Sequence, residues 1–150
     1  MKSYDITLYP PSLMRELVQL YGPAYGIWQK IARGGVGSPG LRSLSGSDWP
    51  EAWLQHGWEN LRFNLEVRPK SLWLRANIAH KSFHVIPILR ENLSSFSFHI
   101  PDTTPDSRYT LALRLSLSAG ENIELLCIPS DRIKIRRLLI RENLFESQPE

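Results

Sequence analysis

The sequence predicts an α+β domain: a mostly antiparallel sheet of about five or six strands, with an N-terminal helical hairpin and a short tryptophan-rich helix packed on it. Three observations carry this. Apolar and polar residues alternate strictly over Leu61–Val67, and 72–78 repeats the pattern with Trp73 sharing the outward side with Arg75 and Asn77. Before residue 34 the apolar residues recur instead at helical spacing. Turn-forming residues then separate the later apolar runs at hairpin distances.

Taken in order, Pro10 and Pro11 lead into Ser12, a side chain suited to cap a helix over LMRELVQLY, in which Leu13, Leu17 and Leu20 share a face with Met14, Val18 and Tyr21. Gly22 and Pro23 interrupt it. AYGIWQKIAR resumes the helix, with Ile27, Trp28 and Ile31 expected inward and Gln29, Lys30 and Arg33 outward. Residues 34–47 hold five of the nine glycines with four serines, and read as a loop. Asp48 and Glu51 resemble a capping box and Pro50 fits a first turn, so a short helix is expected over Trp49–Gln55. Trp49 and Trp53, four apart, share a face and point to a core or seam.

The strand-forming centre is LRFNLEVRPKSLWLRANIAHKSFHVIPIL, residues 61–89. Leu61, Phe63, Leu65 and Val67 face one way, and after the Pro69–Lys70 turn Leu72, Leu74, Ala76 and Ile78 do the same. The nearly continuous apolar run Phe83–Leu89 suits a strand covered on both faces, although Pro87 argues for its end or an edge. Phe96, Phe98 and Ile100 give a fourth strand. Tyr109–Ser118 and Ile123–Ile128, joined at Ala119 and Gly120, form a hairpin. For 130–144, a strand-like start over Ile133 and Ile135 passing into a helix is expected, then a disordered tail over 146–150. One domain, 1–145, accounts for the length.

Composition narrows the function classes. The single cysteine, Cys127, lies among Leu125, Leu126 and Ile128 and reads as a core thiol; one cysteine forms no internal disulfide and no thiolate-rich zinc site. No run of about 18 apolar residues exists to span a bilayer, so no membrane partner is expected. The first residues lack the continuous apolar segment of a secretory leader, which makes the cytoplasm the expected compartment. The net charge of +3 and pI near 9.2 are unevenly spread: Arg132, Lys134, Arg136, Arg137 and Arg141 fall between Asp131 and Glu142 with no acid among them.

Catalytic motifs are weak. Gly35, Gly37 and Gly40 stand in the order G-x-G-x-x-G, but they follow a helical segment and run into LRSLSGS, which is the wrong context for a dinucleotide cradle. Leu41 and Arg42 stand where a phosphate-binding P-loop needs Lys and Ser or Thr, which leaves Arg42 as a loop cation for a polyanion. His80 and His84 lack a nearby acid or cysteine to complete a metal set. No acid-x-lysine unit of a metal-dependent nuclease is present.

What is left is a surface. On strands whose leucines face in, Arg62, Trp73, Arg75 and Arg114 face out; arginine supplies phosphate hydrogen bonds and an exposed indole stacks unpaired bases. The expected function is therefore a non-catalytic module binding RNA or another single strand, a possible small subunit of a ribonucleoprotein, without cofactor or metal. Its expected contacts are Arg62, Trp73, Arg75, Arg114, Arg132, Lys134, Arg136, Arg137 and Arg42. Two alternatives stand beside it. One is a small nuclease using histidines or acids. The other is a protein-interaction or assembly factor with Trp73 and the Trp-rich segment as its hot spots.

Overall fold

The computed structural model describes residues 2–44 and 49–148, with only the backbone of Trp58. Among the described residues, nine strands form one sheet, β1 (Tyr4–Asp5), β2 (Leu41–Ser43), β3 (Leu61–Val67), β4 (Ser71–Ile78), β5 (Ser82–Leu89), β6 (Leu93–His99), β7 (Leu111–Leu117), β8 (Asn122–Cys127) and β9 (Phe145–Glu146). Four α-helices accompany them, α1 (Pro11–Tyr21), α2 (Ile27–Ala32), α3 (Glu51–Leu54) and α4 (Arg132–Arg141). The class is α+β, and the six long strands are the expected ones. The other three are short pairings: β1 in the extended entry, β2 in the segment read as a loop, and β9 across the expected start of the tail.

The strand order is β1-β5-β4-β3-β2-β8-β7-β6-β9, antiparallel except where β9 runs parallel to β6. Two meanders, β3–β5 and β6–β8, are thus joined side by side through β2, whose Arg42 pairs with Arg62 on one side and Leu126 on the other. β5 and β6 stand far apart in this order, yet one short helical turn, Arg90–Asn92, connects them. The sheet must curl until those ends approach. Its concave side then holds one core: Leu61, Phe63, Leu65, Leu72, Leu74 and Ile86 from one meander meet Phe96, Leu113, Leu115, Leu125 and Cys127 from the other. Ile135, Leu138 and Leu139 of α4 close it, with Trp49 stacked on Phe63 and Trp53 tilted against it at its rim.

Period-two alternation sets all of this, because a strand with every second residue apolar offers one face to a core. β3 is buried at Leu61, Phe63, Leu65 and Val67 and exposed at Arg62 and Asn64 between them. Pro87 sits beyond the reach of two-residue β1, which pairs only with Val85 and His84, so its missing N–H costs no ladder bond.

Several expectations are corrected. Residues 34–47 are not all loop, since Leu41–Ser43 is the strand that joins the meanders. The segment 132–141 is helical from its first residue, without a strand-like start: Ile135, Leu138 and Leu139 are buried at helical spacing, while Ile133 is 61% exposed. Ile100 is exposed rather than inward. α1 starts at Pro11 with Pro10 as its cap residue, so Ser12 lies inside it. Within the segment read as a tail, Glu146 pairs with Phe96 and the Ser147 N–H donates to the Phe96 carbonyl. Asp48, half of the expected capping box, lies outside the described residues.

The helices also divide between the two faces instead of sharing one. α3 and α4 lie on the concave side, whereas Leu17 of α1 packs with Tyr4, Ile6, Val85 and Trp73 on the convex side. The expected inward face of α2 points to solvent: Ile27, Trp28 and Ile31 are 70%, 80% and 65% exposed. No helix among the described residues is long and apolar enough to cross a membrane.

Candidate nucleic-acid interface

The convex face of β3–β5 carries what alternation leaves outside the core. Across the β3–β4 ladder Arg62 is opposite Asn77, Asn64 opposite Arg75, and Glu66 opposite Trp73. Arg42, on the neighbouring strand, is opposite Arg62. Like charges on directly paired positions disfavour the sheet. Arg42 escapes by donating to the Glu59 carbonyl at 3.1 Å with its guanidinium over the Tyr109 ring, while Arg62 is exposed with no ion-pair partner among the described residues.

Among the described residues Glu66 is the one acid on this part of the face, and both of its oxygens are engaged. Oε1 accepts from Arg68 Nε at 2.9 Å and Oε2 from Arg75 Nη1 at 2.8 Å. Arg75 Nη2 donates onward to the Tyr9 hydroxyl at 3.0 Å. Tyr9 holds a left-handed backbone, φ 47°, with its N–H on the Ile6 carbonyl. A non-glycine residue in that conformation costs of order 1 kcal/mol, and here it sets the ring beside Arg75. Around these groups lies a cleft of about 420 Å³ lined by Tyr9, Lys30, Ser38, Asn64, Arg75, Asn77 and Phe83. Tyr9 is 54% and Phe83 38% exposed, so aromatic surface adjoins the cations.

Trp73, the expected stacking platform, is not part of that surface. It is on the convex side as alternation requires, but only 1% exposed. α1 and β1 cover it, the Arg68 guanidinium lies 3.4 Å over its ring centroid, and its Nε1–H donates to Ser71 Oγ at 2.9 Å. Burial lowers the Arg68 guanidinium below its ordinary pKa, and the charge of Glu66 opposes that shift. Trp73 is a core residue of the convex side, which corrects the expectation that its indole is exposed.

The other expected contacts form separate groups. Arg114, on β7 of the second meander, donates to Glu124 at 2.6 Å. Arg132 and Arg136 of α4 both approach Glu146, at 3.7 and 2.5 Å, and Arg132 also lies over Phe98. Lys134 and Arg137 are exposed without an ion-pair partner among the described residues. Since α4 closes the concave core, its cations stand across the sheet from Arg62 and Arg75. The structure therefore brings Arg42, Arg62 and Arg75 together and leaves the helical cations as a second patch.

The histidines do not converge. His80 sits in a left-handed turn, φ 57°, while the His84 ring packs 5.1 Å from Trp53. Among the described residues no three of His, Cys, Asp and Glu stand close enough to hold a metal ion.

Sequence reasoning passed over Tyr9, Phe83 and Lys30, which reach the cleft from three separate segments. It also passed over Glu142, buried where α4 ends. Its Oε1 accepts from Arg33 at 2.5 Å, and Oε2 is bonded by Arg90 and Tyr25. Only the phenylalanine's place in a strand offered a signal beforehand. No protein-family model matches the chain, and no curated protein matches it either.

Proposed function

We propose that the protein is a non-catalytic module that binds single-stranded nucleic acid, RNA foremost, across the convex face of β3–β5. The observation that carries this reading is the composition of that face: Arg42, Arg62, Arg75 and Lys30 beside exposed Tyr9 and Phe83, with Glu66, its one acid among the described residues, already bonded twice. The cations meet phosphates and the two rings meet bases, while the amides of Asn64 and Asn77 offer donors and acceptors to base edges. Trp73 supports the face from beneath.

Fluorescence anisotropy with labelled single-stranded RNA and DNA tests the reading. Four phosphate contacts on a single strand weaken binding about fiftyfold between about 50 and 200 mM salt. Arg62→Ala should lower the slope of that dependence by about 0.7, and Tyr9→Ala should cost about 1–3 kcal/mol of affinity at every salt concentration. No binding, or binding indifferent to both substitutions, refutes the reading. If Lys134→Glu with Arg137→Glu abolishes binding that Arg62→Ala leaves intact, the interface belongs to α4 and the convex face is not the site.

A further inference from the structure

We infer that α2, with the adjoining end of α4, is a docking surface for an acidic amphipathic helix of a partner protein. This stands apart from the nucleic-acid reading and rests on a different observation: α2 is inverted. It buries none of its own side chains. Two of its polar residues turn to the body of the protein, where Arg33 at its C-terminal cap bonds Glu142 at 2.5 Å and lies over the Tyr25 ring, and Lys30 lines the cleft, while Gln29 stays exposed. Ile27, Trp28 and Ile31, which helical spacing puts on one face, point into water. Three large apolar side chains on six residues form a contiguous exposed patch of the kind that marks an interaction site, and tryptophan is the residue most enriched at interface hot spots.

The charge around the patch specifies the occupant. No acid occurs in the sequence between Glu16 and Asp48, or between Asp131 and Glu142. Arg141 lies beside Gly34, just past α2, and Arg137 precedes it by one helical turn with no ion-pair partner among the described residues. The stripe ends beside Arg141, since the Gly34 N–H donates to the Ile31 carbonyl, and an apolar stripe with arginine at its end fits a helix that carries Asp and Glu beside its own apolar stripe, because the guanidinium fork bonds a carboxylate through two parallel N–H groups. A lipid surface fits less well. A helix lying in a membrane interface carries cations on both flanks of its apolar face; here Lys30 stands on one flank and Ala32 on the other.

The test titrates the full chain with two synthetic helical peptides of about 18 residues. Both carry leucines at i, i+3, i+4 and i+7; one has glutamates on the flanks and the other lysines. Anisotropy of the labelled peptide reports binding, and protection of Trp28 from an aqueous quencher reports its place. The acidic peptide should bind with a Kd in the micromolar range, weakened about thirtyfold by Trp28→Ala and about tenfold by Arg137→Glu with Arg141→Glu, at an unchanged melting temperature. Absence of binding up to about 1 mM, equal binding of the lysine peptide, or indifference to Trp28→Ala overturns the inference. So does co-sedimentation with phosphatidylserine vesicles that Trp28→Ala abolishes, or a dimer in sedimentation velocity that Trp28→Ala disperses. Those two results give the face to a membrane or to a second copy.

Discussion

Replacing Trp73 separates a core role from a binding role. The indole is 1% exposed, capped by Arg68 at 3.4 Å, tied through Nε1 to Ser71 Oγ, and packed against Leu17, Tyr4, Ile6 and Val85. Ser71 Oγ in turn donates to the Tyr21 carbonyl at 2.8 Å, so one chain of bonds fixes the C-terminal end of α1 to the sheet. Truncating a buried tryptophan costs about 3–5 kcal/mol through lost transfer energy and the cavity left behind, and loss of the stacked guanidinium belongs to the upper part of that range. For Trp73→Ala we expect about 4 kcal/mol, a fall in Tm of roughly 8–16 °C for a chain of this length. Trp73→Phe keeps most of the volume and should lose about 1–2 kcal/mol. Urea titration by circular dichroism measures both, and RNA anisotropy at temperatures where each variant is folded should return the wild-type affinity. A solvent-facing stacking platform behaves in the opposite way: it would lose about 1–3 kcal/mol of RNA affinity with little change in stability. That pattern would refute the buried assignment.

Three further outcomes follow from the same structure. Glu142→Gln withdraws a buried carboxylate from Arg33 and Arg90; because Arg33 is 35% and Arg90 28% exposed, the loss should be about 2–3 kcal/mol, below that of a fully buried pair, and an Arg90→Met cycle in urea melts should show coupling. Additive single losses would disprove it. Burial pushes the Cys127 thiol up to about 11 from an ordinary value of 9.0. The neutral form is thus favoured by folding, so its contribution is whole below about pH 9 and is lost as pH rises toward about 11; urea midpoints of the parent and Cys127→Ala should diverge least above that window. Gly22 holds φ 84° and ψ 164°, and a Cβ there would meet Lys70 Cβ at 3.1 Å, so Gly22→Ala should cost about 1–3 kcal/mol in the same melts.

How much was legible depends on the range of the signal. The alternations over 61–67 and 72–78 fixed both the strands and their inner faces, because the period belongs to the strand itself. They also put Arg62 and Arg75 outside. The three-residue β2 is too short to show a period, and its place between β3 and β8 depends on partners about twenty and eighty residues away. Trp73 shows the same limit from the other side: alternation gave its face correctly, but whether that face is wet depends on α1, which arrives from residues 11–21. The Ile27, Trp28 and Ile31 stripe was legible as a stripe, and its direction was not. Arg33 and Tyr25 meet Glu142, more than a hundred residues on, and that contact turns the helix round.

By itself, then, the sequence determined an α+β chain with about five or six long strands, an arginine-bearing outer face and a cationic C-terminal segment, since period and local charge are properties of neighbouring residues. Tertiary structure alone decided which of those features meet water. It buried Trp73 under α1, exposed Trp28, tied Arg132 and Arg136 to Glu146, and gathered Tyr9, Lys30 and Phe83 around Arg75. The physical reason is that exposure and ion pairing depend on what packs against a residue, and in this fold the covering elements come from distant parts of the chain.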